Sequence, residues 1–201
     1  MRAALWLAAV ALPLAAQPKL LVNGQVDTHS AASGLESEFK TLTSAQPQPA
    51  WIAYSVPVLA GHGLGCELVS PNGWWAPGVV HLEPPDHMLV FFRIESNAVE
   101  RVRTISPDCQ IDAGGAPVHW LTDVRPAESV ALLGGMAAAA GRTAAGALSA
   151  IALHADPAGV PLLIQTAKTS RDAEVRKQAM SCLTRTHDPR AAAFFEDVLK
   201  K

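Results

Sequence analysis

The chain reads as α+β, with a small mixed α/β region at the amino end and a short all-α stack of helical repeats after it. The first observation is an echo. Ala147–Lys168 returns 32 residues later as Ala179–Lys200, Asp156-Pro157 becoming Asp188-Pro189 and Leu162-Leu163 becoming Phe194-Phe195. Repeats of roughly 20–50 residues signal stacked units that bury their apolar faces only against their neighbours. Composition also shifts near Leu121-Thr122-Asp123, where prolines, tryptophans and β-branched runs give way to alanine and leucine. Lastly, Met88–Ile94 and Val99–Ile105 read as strands around a Ser96-Asn97 turn. The expected divisions are therefore a leader at 1–16, an α+β region at 17–121 and helical repeats at 122–201.

Met1-Arg2 supplies a positive start, Ala3–Ala11 an apolar stretch and Leu12–Ala16 a small-residue exit, which is the grammar of a secretory signal. That apolar run is too short for a bilayer of about 30 Å, so cleavage near Gln17 and a periplasmic or extracellular location are expected. No later stretch reads as a membrane helix. Leu35, Phe39 and Leu42 fall at helical spacing, and Ser33 with Glu36 fits a capping box. Gln46-Pro47-Gln48-Pro49 ends that helix, and Trp51–Val58 alternates like a strand. In Val99–Ile105 the residues Val99, Arg101, Arg103 and Ile105 share one side, as in the outer strand of a hairpin. Gly61–Gly78 and Asp112–Pro117 read as loops.

Helices are expected over Ala127–Ala137, Arg142–His154, Ala158–Lys168, Ala173–Arg185 and Arg190–Lys200. Pro126, Pro157 and Pro189 stand at helix starts, where a missing N–H costs nothing. Asp156, Asp172 and Asp188 stand where a carboxylate caps the first turn. Gly134-Gly135, Gly141 and Gly146 break the apolar run Ser129–Leu153 into two short helices.

Asp172, Val175 and Arg176, followed by Ala179 and Leu183, resemble the HEAT repeat in its short bacterial form, seen in phycobilisome lyase-like proteins. Asp156, Pro157, Ala158, Pro161, Leu162 and Leu163 match the first helix of that unit, and Asp188, Pro189 and Ala191 open the next. The resemblance implies a helical solenoid that binds proteins, with Asp172 and Arg176 pairing between neighbouring repeats. Arg93, Cys109, Asp112–Gly115, Pro117 and His119-Trp120-Leu121 resemble the amino-terminal region of exported bacterial HEAT-repeat proteins, and bring no activity with them.

Net charge is −2 with no basic block, which gives nucleic acid little to bind. Of three cysteines, Cys66 and Cys109 lie in turn-rich contexts of the first half and are expected to pair; Cys182 replaces Ala150 of the repeat and reads as a small core residue. The seven histidines tempt a metal reading, but His62 with Cys66, and His81 with His87, reproduce no zinc-ligand spacing. Turns and solvated surface account for them, and no metal or cofactor is expected. No serine sits in a nucleophile motif, and a Cys109–His119 thiol–imidazole pair competes with the disulfide. Trp74-Trp75, in a Pro/Gly loop, is either a lid over a small core or a contact for sugar faces or peptides. The function expected is a non-catalytic protein-binding adaptor or scaffold. The alternative is carbohydrate or cell-wall binding through Trp74-Trp75, with a lyase-like enzyme a remote third.

Overall fold

Met88, Val90, Phe92 and Ile94 are fully buried on one face of their strand, and Leu89 and Phe91 are buried on the other. A strand apolar on both sides belongs inside a sheet covered on both faces, and this one has a paired neighbour along each edge. The computed structural model describes residues 21–46, 48–62, 64, 66, 83–139 and 141–200. In chain order the elements are β1 (Leu21–Val22), β2 (Val26–Ser30), α1 (Leu35–Ser44), β3 (Ala50–Pro57), β4 (His87–Glu95), β5 (Ala98–Ile105), β6 (Ile111–Asp112) and β7 (Val118–Thr122). Then come α2 (Pro126–Ala138), α3 (Ala144–Leu153), α4 (Gly159–Thr169), α5 (Ala173–Leu183) and α6 (Pro189–Leu199). The leader expected at 1–16 lies outside the described residues. Among those described, no helix is long and apolar enough to cross a membrane.

The main sheet has the order β2-β7-β3-β4-β5, with β2, β7 and β3 mutually parallel and β3, β4 and β5 an antiparallel meander. β1 and β6 form a separate short parallel pair. Ser96 and Asn97 both adopt positive φ, at 51° and 60°, which is the turn that suits a two-residue hairpin. The expected alternation of β5 does not survive intact. Register slips between Arg93 and Ile94, leaving Glu100 with no residue opposite. This bulge turns Val99 to the helix-covered face while Ile105 packs on the other. The capping box at α1 also fails to form: the chain enters through Gly34 at φ 130°, with no side-chain cap.

Leu35, Phe39 and Leu42 of α1 pack beside Ile52, Tyr54, Val56 and Phe92 of the sheet, and the same buried cluster continues through α2 to α6. In the helical array α2 packs on α3 and α4 on α5, while α3 meets α5, and α4 meets both α2 and α6. Helices α2, α4 and α6 thus form one layer and α3 and α5 another, with α3 set against β5. Gly146 makes that approach possible, since a Cβ there would lie 2.5 Å from the Val102 carbonyl oxygen. Gly146, Gly134 and Gly135 therefore lie inside helices and do not break them; the break comes at Gly141, with φ 82°.

The end of β3 stitches the sheet to the corners of the array. Val58 bridges to His154, the Leu59 N–H donates to the Leu153 carbonyl at 2.7 Å, and His62 Nε2 lies 2.6 Å from the Arg185 carbonyl oxygen. Corners 153–155 and 185–187 are the same place in successive repeats. His154 is 4% exposed, its Nδ1 accepts from the Asp156 N–H at 3.2 Å, and Nε2 has no partner. Burial, opposed weakly by Asp156, lowers its pKa to about 4.

The unfolded chain protonates His154 near its ordinary value while the folded chain resists until about pH 4. Its contribution is therefore complete above the ordinary histidine range and drains away as the pH falls toward 4, by up to about 1.4 kcal/mol per unit. Urea unfolding as a function of pH should show this limb, and His154→Asn should flatten it. A second check concerns Tyr54 and Ser129, both fully buried, whose hydroxyls meet at 2.9 Å and join β3 to α2. Tyr54→Phe and Ser129→Ala should each cost about 1–3 kcal/mol by orphaning the other hydroxyl. The double variant should cost clearly less than the two together.

Candidate functional site

Cys66 and Cys109 form a disulfide, with Cα atoms 5.4 Å apart, as expected, so a Cys109–His119 catalytic pair is excluded. Cys182 is free and buried in α5. The disulfide borders a pocket of about 260 Å³ on the sheet face away from the helices, lined among others by Trp51, Phe91, Arg103, Ile105 and Ile111. Arg93 stacks over Trp51 at 5.3 Å from the ring centre. Among the described residues of this lining, none has the form of a nucleophile beside a base. Trp74 and Trp75 lie outside the described residues, as do His81 and most of Gly61–Gly78.

The repeat residues serve structure. Asp172 caps α5, accepting from the Glu174 and Val175 N–H groups at 2.8 and 3.3 Å, and Val175 is buried. Asp188 caps α6 through the Arg190 N–H at 2.8 Å, with Pro189 as the first helical residue. Asp156 makes the same bond to the Ala158 N–H, also at 2.8 Å, but α4 begins only at Gly159, so Pro157 sits in the preceding turn. The pairing implied for Asp172 and Arg176 is not the one present. Arg176 donates to the carbonyls of Ser170 and Arg171, within its own repeat. One bond between repeats comes from Arg190, which grips Asp188 through two nitrogens and reaches the Pro157 carbonyl at 3.2 Å. Of the two phenylalanines expected in the core, Phe194 is buried but Phe195 only half-buried.

A different cluster gathers the densest chemistry. β2 places Asp27 and His29 two residues apart on one face, and parallel pairing sets His119 of β7 opposite Asp27. On this face His119 also pairs in register with Ile52. His29 Nε2 lies 2.9 Å from Asp27 Oδ2 and 3.3 Å from His119 Nδ1, and His119 Nδ1 is 3.9 Å from Asp27 Oδ2. The far ring nitrogens are held as well: His29 Nδ1 lies 3.5 Å from Glu38 Oε1, and His119 Nε2 is 2.9 Å from the Gln46 side-chain amide. The His119 side chain is 11% exposed and that of Asp27 69%, so the cluster opens outward on the aspartate side.

Burial, reinforced by His29 and opposed by Asp27, holds the His119 imidazole below the ordinary histidine range. It is therefore a neutral base with a lone pair to offer at neutral pH. Spacing along the chain sets these histidines aside, because it matches no local ligand motif. The one signal that points to them is the Asp27-x-His29 alternation, which becomes informative only once Val26–Ser30 is known to be a strand.

Peptide mapping without reductant should yield one linked Cys66–Cys109 fragment. Replacing both cysteines by serine should cost up to about 4 kcal/mol, the loop-closure entropy for a separation of 43 residues, measured by urea unfolding. Comparison with protein-family models, curated proteins and solved structures finds no match for this chain, so its function has to be read from its own side chains.

Proposed function

We propose that this is an exported, non-catalytic protein-binding module in which HEAT-like repeats, carried on the mixed sheet, supply the contact surface. The observation that carries this reading is the outer side of α6. In a stack each helix pair is covered by the next, yet α6 buries only Ala191 and Phe194. Phe195 is half-buried, Val198 is 44% exposed and Leu199 86%, together forming an apolar stripe at helical spacing. Two of the three large apolar side chains exposed among the described residues belong to this stripe. Its natural occupant is an amphipathic helix of a partner protein, laid in the place of the next repeat. The disulfide supports an oxidising compartment, periplasmic or extracellular.

A photo-crosslinking residue at Val198 should trap a discrete partner in the cells that export the protein, while the same residue at Lys40 of α1 should not. Leu199→Lys should abolish the adduct without changing the melting temperature. Equal capture at both positions, or only a homodimeric adduct, would count against the module. Loss of the adduct in Trp74→Ala/Trp75→Ala would move the contact to that segment, where glycan quenching of tryptophan fluorescence becomes the decisive measurement.

A further inference from the structure

We propose that Asp27, His29 and His119 form a binding site for one late first-row divalent cation, of which zinc is the representative. Their ligand atoms (Oδ2, Nε2 and Nδ1) all lie within 4.8 Å of one another. The pairwise distances are 2.9, 3.3 and 3.9 Å. An ion bound at about 2.0–2.2 Å in tetrahedral geometry holds its donors about 3.3–3.6 Å apart, a separation inside that range. The widest gap, 3.9 Å, is the one to the exposed Asp27 carboxylate.

The donor set selects the ion. Two imidazoles and one carboxylate suit zinc and its neighbours, whereas calcium and magnesium demand oxygen throughout. Three protein donors leave a coordination position for water on the open side, where Asp27 is 69% exposed.

The surrounding groups orient both rings. A metal-bound imidazole carries its proton on the far nitrogen and gives it to a fixed acceptor. For His29 that nitrogen is Nδ1, facing Glu38 at 3.5 Å. For His119 it is Nε2, facing the Gln46 amide at 2.9 Å, which accepts through its oxygen when the amide is turned over. Without an ion, His29 Nε2 shares a proton with Asp27 at 2.9 Å. Binding takes Nε2 and leaves the neutral ring's single proton on Nδ1, toward Glu38, a change of tautomer with no net release of a proton. The ion also fastens β2, an edge strand with mostly exposed residues, to β7.

The test is calorimetric titration of the full, tag-free chain with zinc chloride, followed by the visible spectrum of the cobalt form. One ion should bind per chain and raise the melting temperature. Glu38→Gln should weaken binding roughly tenfold, and Asp27→Asn and His29→Gln by more than that. His62→Gln should leave affinity unchanged, although it alters the other close histidine pair, His62 with His187. Because Asp27 is so exposed, Asp27→Asn decides the matter if His29→Gln does not fold. Absence of saturable binding by the unsubstituted chain would overturn the site. So would an affinity untouched by Asp27→Asn, or one lost in His62→Gln.

Discussion

One apolar surface organises this protein: the sheet face built from Ile52, Tyr54, Val56, Met88, Val90, Phe92 and Ile94. It is too large to face water and too flat to close on itself, so helices must cover it. α1 covers one part, and α3 approaches the β5 backbone closely through Gly146. Since α3 is also a member of the helical array, the same burial that completes the sheet anchors the array. The buried cluster consequently runs unbroken from α1 to α6.

Polar contacts refine this arrangement. The Tyr54–Ser129 bond ties β3 to α2 inside the core, where a hydroxyl without a partner is costly. The chain leaving β3 tracks two equivalent repeat corners, at His154 and Arg185, through backbone groups in the main. A surface pair such as Glu100–Arg142, at 3.2 Å, links the β5 bulge to the start of α3 and contributes little by itself. Orientation comes from these bonds; stability comes from the buried face.

The cluster at Asp27, His29 and His119 and the stripe on α6 illustrate two ways in which a surface departs from the structural minimum. The stripe leaves apolar area uncovered where a stack would cover it. The cluster points three donor atoms at one another across two strands. The two lie on different elements, the cluster on β2 and β7 and the stripe on α6.

The periodic parts of the chain are legible in the order of its residues. Helical spacing at Leu35, Phe39 and Leu42, proline and aspartate punctuation at Asp172 and at Asp188-Pro189, and the β4–β5 hairpin all follow from interactions within about a dozen residues. Local rules have such reach and no more. They do not reveal that Val26–Ser30, almost wholly polar, is a strand, because its pairing partner β7 lies some 90 residues away and the pairing is parallel. Nor do they place the bulge at Glu100, or reassign Gly146 from helix breaker to the contact point of α3 with β5. The sequence by itself determined which segments are helical, where the hairpin turns and which cysteines are paired. Tertiary structure alone decided which side chains meet across the sheet, because a long-range strand pairing leaves no signal in the order of neighbouring residues.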